Sequence, residues 1–511
     1  MANRRLEVQM AKGRAVPGDK LVCGVFSDAD PGFSRLGAEA ARTARSLAAA
    51  LRFTGENDRA AEMPLGGRGR SLTLLGLGRR ADFTAERAVA FVDRAIEAAK
   101  SARAATLGLV VPEHPAFFGE AAAERLARRL ALADYRFGAY LPKPTGTPLK
   151  AATVAVPAEP GGSWRRAYGA GFARGIAIAE GVALARDLGN TPPNEASPEW
   201  MVRQARALAR RWGATIQVLA EPELKRRGMG GILAVGGGSR QPPRLVRIDL
   251  GGGRGRAAAP VVALVGKGIT FDTGGISIKP AAQMDEMKWD KMGACAVLGI
   301  LEAVHRLDLP VRLRAYLPLA ENMPDGAAYR PGDIVRMSNG KTVEITNTDA
   351  EGRMVLADAL AWAASDRPEA IVEYSTLTGA CVVALGQTGA GLFSPSDDLA
   401  SGLLAAAGEA GERLWRLPLW PEFLDEMRGS HSDLRNSAGR WGGASSAAAF
   451  LSQFVGEVEE WAHLDIAGPA YVGGDSKRRG ATGYAVALTV NWLQSRSAAG
   501  RAAPARRRQR R

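Results

Sequence analysis

The apolar run Val261-Val262-Ala263-Leu264-Val265 passes directly into Gly266-Lys267-Gly268-Ile269-Thr270-Phe271-Asp272-Thr273-Gly274-Gly275-Ile276-Ser277-Ile278-Lys279-Pro280. A strand with no polar position reads as buried, which points to the interior of a sheet covered by helices. The glycines that follow let the backbone turn sharply and approach a ligand closely. In an open α/β sheet, such loops at the carboxyl ends of strands are where ligands bind. Lys267, Asp272 and Lys279 lie on that crevice, and Asp290 follows in Met287-Lys288-Trp289-Asp290-Lys291. A phosphate loop is the competing reading, but the Walker spacing between its glycines is absent.

A second charged segment lies downstream, Asn347-Thr348-Asp349-Ala350-Glu351-Gly352-Arg353. Asp349 and Glu351 are two apart and cannot share a helix face, yet a loop can turn both toward one centre. Alone, the segment reads as an acidic turn entering a helix, Arg353 to Leu360, with acids favoured near the helix N-terminus. Beside the upstream lysines and aspartates it reads as half of a divalent-metal site, because hard carboxylate oxygens suit Mg, Mn or Zn.

The 511 residues suggest more than one domain, and 46% hydrophobic with 23% charged residues is a globular balance. No apolar run approaches a bilayer span, and the first residues lack the apolar stretch of a signal peptide. The expectation is a soluble cytoplasmic enzyme with no membrane partner. Cys23, Cys295 and Cys381 have neither metal nor disulfide spacing and read as buried small hydrophobes. The formal net charge of +14 invites nucleic acid. Half of it comes from seven arginines between Arg496 and Arg511.

Along the chain, Leu21 to Phe26 and Leu72 to Leu77 read as strands, and Ala38 to Leu51 and Thr84 to Ala102 as helices. This alternation predicts a smaller N-terminal α/β domain over 1–163 with a largely parallel sheet. A connecting helix and linker over 164–194 ends at Asn190-Thr191-Pro192-Pro193-Asn194. A larger catalytic α/β domain, a mixed central sheet flanked by helices, is expected over 195–494. It opens with a helix from Pro198 to Arg211, then strands near Ile232 to Val235, Leu245 to Leu250 and Val261 to Val265. A basic disordered tail is expected over 495–511.

These motifs resemble the leucyl aminopeptidase family, also called cytosol aminopeptidases, dinuclear metallopeptidases of the M17 type. The resemblance covers about 165 to 494 and is carried by Gly266 to Pro280, Asn347 to Arg353 and Asn190 to Asn194. It is also carried by Glu321-Asn322-Met323-Pro324, Arg330-Pro331-Gly332-Asp333, Thr376-Leu377-Thr378-Gly379-Ala380 and Trp461-Ala462-His463-Leu464-Asp465-Ile466-Ala467-Gly468.

The resemblance implies hydrolysis of the N-terminal residue, Leu or a similar aliphatic one, from peptides with a free amino terminus. It implies two divalent ions, Mn or Zn. Lys267, Asp272, Asp290 and Glu351 would hold the tighter ion, and Asp272, Asp349 and Glu351 the more exchangeable one. Lysine donates only as a neutral amine, and burial beside two dications should depress its pKa. Lys279 would stabilise the developing oxyanion. Arg353, with backbone groups near Leu377, would anchor a bicarbonate acting as general base. Met287, Thr376, Gly379 and Gly468 would line the substrate pocket. A homohexamer is also implied.

Two departures from the family pattern stand out. Lys291 follows Asp290 where an apolar residue is common, which puts an extra cation near the metals if it points inward. Glu373-Tyr374-Ser375 replaces the usual Asp-Leu-Ala. Of the four histidines, His114 and His305 read as packing or surface residues, and no ligand role transfers to His431 or His463. The alternatives are an added DNA-binding role through the basic surface and tail, and an amidase or phosphoesterase on the same scaffold.

Overall fold

The computed structural model describes residues 6–12, 15–30, 32–66, 69–142, 149–156, 164–251, 260–476 and 479–502. The chain divides into two compact units, Met1–Ala179 and Glu180–Arg511. The division falls within the long helix Trp164–Asn190, which the prolines at 192 and 193 follow.

Both units are α/β. The first sheet runs, in spatial order, Glu7–Met10, Ala151–Ala155, Thr106–Val110, Lys20–Val25, Ser71–Gly76 and Ala60–Pro64. Every pair in it is parallel except the last. Its two faces are covered by separate clusters, one with Phe91, Leu109 and Leu126, the other with Leu21, Ala44 and Leu72. Two of the helices show local start signals: Thr84 accepts from Arg87 N at the head of Ala85–Ser101, and Ser197 accepts from Trp200 N at the head of Pro198–Trp212.

The second sheet runs Arg413–Arg416, Gly389–Phe393, Glu460–Asp465, Ala370–Ser375, Val261–Gly266, Arg312–Asn322, Arg244–Leu250 and Thr215–Leu219, with Gly268–Asp272 paired to Arg312–Asn322. The central strands are parallel and the outer pairs on the Arg244–Leu250 side antiparallel, so the sheet is mixed as expected. Val262, Ala263, Leu264 and Val265 are all buried, the burial that their lack of polar atoms requires. The helix Glu351–Ser365 packs its apolar residues into the cluster with Val265, Tyr316 and Trp461.

Two sequence expectations fail. Ile232 to Val235 is not a strand; it lies in the helix Gly230–Gly236. A short buried apolar run carries no period of its own, and here Asp358 decides by accepting Ile232 N at 3.1 Å, near the start of that helix. The final helix, Val486–Ala502, runs past residue 494, with Arg496 paired to Glu369 and Glu460. The rest of the expected disordered tail, 503–511, lies outside the described residues. Among the described residues no helix is long and apolar enough to cross a membrane.

Asp358 also accepts Ser338 N at 2.9 Å, and burial raises its carboxyl from 3.8 to about 6. Asp358→Ala leaves the buried Ile232 N and the half-buried Ser338 N without this acceptor and should cost about 2 kcal/mol, read by denaturant unfolding at neutral pH. Between pH 3.8 and about 6 the folded chain keeps a proton here that the unfolded chain has released. Stability therefore falls as pH rises through that window, and the alanine variant should lose this part of the slope.

Candidate metal centre

The carboxyl ends of the parallel strands converge as the sequence predicts. Lys267 follows Val261–Gly266 directly, Asp272 ends Gly268–Asp272, and Thr376 follows Ala370–Ser375. Glu351 opens its helix, and Asp290 sits just before the helix Met292–Arg306. Lys267 Nζ lies 2.7 Å from Asp290 Oδ1 and 2.8 Å from Glu351 Oε1, and donates to Thr376 O at 3.1 Å. Lys279 Nζ lies 2.8 Å from Asp272 Oδ2 and 2.5 Å from Asp349 Oδ1.

The two loops are stitched to each other. Thr348 Oγ1 donates to Gly274 O and accepts from Ser277 N, while Asn322 Nδ2 bridges Asp272 Oδ1 at 2.8 Å and Thr348 O at 3.1 Å. Tyr329 OH also donates to Thr348 O. Gly274 and Gly275 take φ of +86° and +68°, the left-handed region, and a Cβ on Gly274 would lie 3.0 Å from Asp349 Oδ1.

Burial makes these charges act strongly on one another. Lys267, Asp272 and Glu351 are each about 2% exposed, whereas the side chains of Lys279 and Asp349 are 21% and 31% exposed. Burial works against the Lys267 ammonium, but Asp290, Glu351 and Asp272 outweigh it and hold its pKa up. Burial and the Glu351 charge push Asp272 to about 6, and burial raises Asp290 as well. Glu351 goes the other way: burial is overcome by Lys267 and Lys279, which lower it. Burial pulls Arg353 down to about 10.

The donor set fits a divalent cation. Asp272, Asp290 and Glu351 each offer an oxygen within 4.8 Å of the others. Asp290 Oδ2 is buried without a partner among the described residues. Four carboxylates against two lysines leave an excess of negative charge. Arg353 Nε is likewise buried without a partner among the described residues.

The four expected pocket residues are distributed unevenly. Thr376 Oγ1 donates to Asp290 Oδ1 at 2.7 Å and so borders the centre, while Met287 is joined to Asp290 through the backbone turn, its carbonyl accepting Asp290 N. Gly379 is exposed at the head of Gly379–Leu385, and Gly468 packs on the backbone of Gly386 and Gly389. A cavity of about 410 Å³ lies elsewhere, between Leu385, Leu404, Arg413 and Trp415. Leu377 N donates to Asp465 Oδ1 at 3.1 Å, so that backbone donor is already engaged.

Both departures turn away from the acids. Lys291 is fully buried and its Nζ donates to Gly189 O, Thr191 O and Lys288 O. Glu373 pairs with His463 Nδ1 inside the sheet, and Phe393 stacks on that imidazole at 5.5 Å. His114 packs against Phe26 and Phe83, and His305 is exposed. Asn322, Tyr329 and Asp465 gained no role from sequence reasoning. Asn322 and Asp465 each sit at the last position of a strand and within a motif that carries the family resemblance, the signals that could have marked them.

Gly352 supplies a sharp test of the geometry. A Cβ there would lie 2.6 Å from Lys267 Cε and 2.7 Å from its Nζ. Gly352→Ala must push Lys267 out of line, and a displacement near 1 Å predicts a roughly 100-fold loss of kcat/KM with the melting transition still cooperative.

Comparison with known proteins agrees with this geometry. The chain matches the model for the cytosol aminopeptidase family, catalytic domain, over residues 183–490, and for the N-terminal domain of the same family over 23–144. A probable cytosol aminopeptidase of Dechloromonas aromatica (strain RCB) is 42% identical over 83% of this chain and 85% of its own length. One from Azoarcus sp. (strain BH72) is 49% identical, over 64% of each chain. Among solved structures, the bottromycin maturation enzyme BotP in complex with Mn superposes with TM-score 0.80 at 36% identity, over 94% of this chain and 99% of that one. A tomato leucine aminopeptidase mutant superposes with TM-score 0.82 at 28% identity, over 97% of each chain. With both of its regions matched in order and the acids and lysines gathered at one sheet end, this chain belongs to the cytosol aminopeptidase family of peptide hydrolases.

Proposed function

We propose that the chain is a metal-dependent aminopeptidase that removes the first residue, Leu or a similar aliphatic one, from peptides with a free amino terminus. The observation that carries this reading is the buried meeting of Asp272, Asp290 and Glu351 around Lys267. Lys267, Asp272, Asp290 and Glu351 would hold one divalent ion, Mn or Zn, and Asp272, Asp349 and Glu351 a second. The greater exposure of the Asp349 side supports the second as the more exchangeable. Two such ions, when bound, polarise the scissile carbonyl and ease deprotonation of a water.

The chain's own residues do the rest. Lys279, kept cationic by Asp272, Glu351 and Asp349 against its partial burial, places positive charge where the carbonyl oxygen becomes an oxyanion. Arg353 would hold a bicarbonate ion, which would supply a general base beside the centre, and its buried Nε, without a partner among the described residues, supports that role. Lys267 must shed a proton to act as a donor, so it resists replacement by Arg. Thr376 beside Asp290 supports a place for the first side chain there, and Met287, Gly379 and Gly468 complete the proposed pocket.

Peptide hydrolysis in the presence of Mn or Zn tests the proposal. A Leu-initiated peptide should lose its first residue, and N-acetylation should abolish cleavage. Undiminished cleavage of the blocked peptide would favour the amidase reading. Glu351→Ala should abolish both metal retention, read by elemental analysis after dialysis, and activity; full activity would refute the ligand set.

The proposal includes a cytoplasmic homohexamer, which light scattering would count. The second reading, DNA binding, rests on the net charge of +14. Arg496 is engaged by two glutamates; the other six arginines of this stretch lie at 501, 506–508, 510 and 511. Salt-dependent binding to duplex DNA that disappears on deleting 501–511 would support it.

A further inference from the structure

The Asn190 to Asn194 motif has a partner that the catalytic reading leaves unused. The helix Trp164–Asn190 ends here, and the last carbonyls of a helix have no partners within it. They also carry the negative end of its dipole, which favours a cation. Lys291, fully buried, brings its ammonium to this end. It donates to Gly189 O at 3.0 Å, to Thr191 O at 3.1 Å and to Lys288 O. Among the described residues, its hydrogen-bond partners are these three carbonyls.

The same segment grips the other side of the turn. Asn190 Oδ1 accepts Trp289 Nε1 at 3.1 Å and Ala481 N at 2.8 Å. Trp289 in turn stacks on Tyr471 at 4.7 Å. Residues 288 to 291, with Asp290 among them, are therefore held from the helix end by one indole and one ammonium. An ammonium with carbonyl oxygens near 3 Å has the size and coordination habit of a weakly hydrated monovalent cation.

We propose that the carbonyls of Gly189, Thr191 and Lys288 form a monovalent-cation site that the Lys291 ammonium fills as a tethered ion, and that this ion fixes the turn carrying Asp290. Lys291 is thus a positioning residue. Its effect on metal holding rests on the reading of Asp290 as a ligand given above; the cation site itself does not. A lysine following the aspartate supplies its own cation, where an apolar residue at that place would leave the carbonyls to another partner.

The test uses the full-length chain at pH 7 in choline, potassium, ammonium or methylammonium chloride of equal ionic strength. The wild type should melt at the same temperature in all four. Lys291→Ala should melt at least about 3 °C lower in choline and regain half or more of that loss in potassium or ammonium. Lys291→Met, which fills the space without a charge, should melt low in every salt and keeps the test decisive if the alanine variant does not fold. Either variant melting with the wild type in choline overturns the proposal, as does a loss in Lys291→Ala that no small cation recovers. Mn retained by Lys291→Ala after dialysis should fall in choline and return in potassium, and unchanged retention overturns the positioning of Asp290. A wild-type chain that cleaves no peptide would sink the aminopeptidase reading and leave the melting test intact.

Discussion

The Lys267 ammonium, wedged between Asp290 and Glu351 where water barely reaches, is the contact on which the catalytic unit turns. A buried carboxylate left without a partner costs several kcal/mol, and three of them meet here with Asp349 close by. The fold tolerates that crowding because the lysines, the Asn322 amide and the Thr376 hydroxyl each take an oxygen. The same crowding is what makes the place attractive to dications. Small residues follow from it too: the close approach of Lys267 to Gly352 leaves no room for a methyl group.

Around this centre the supporting contacts come from distant parts of the chain. Asp465 takes Leu377 N and Thr378 Oγ1, and so shapes the loop whose Thr376 carbonyl receives Lys267. Glu373 and His463 are directly paired across neighbouring strands of the sheet. The Glu-Tyr-Ser departure is therefore a change in the sheet interior, where Tyr374 OH meets Thr489 Oγ1.

Much of the centre was legible because its chemistry is local in sequence. Gly266 to Pro280 and Asn347 to Arg353 each place charges among glycines or at a helix start, and the structure brings both segments together. The strand at Ile232 to Val235 was misread for the opposite reason. Its run is too short to show a period, and the helix there is held by Asp358, over a hundred residues away. The tail was misjudged at its start because composition cannot reveal that Arg496 meets Glu369 and Glu460.

The sequence by itself determined the class of fold, the family and the identity of the charged residues, since apolar period, glycine placement and charge are properties of neighbouring residues. Tertiary structure alone decided where those charges point. Lys291 adjoins Asp290 in the chain yet turns to the end of the helix Trp164–Asn190. Asn322 ties the two acidic loops together through Asp272 and Thr348, and Tyr329 adds a second hold on Thr348 O. Direction of a side chain depends on which distant acceptors fold brings within 3 Å, and no spacing along the chain encodes that.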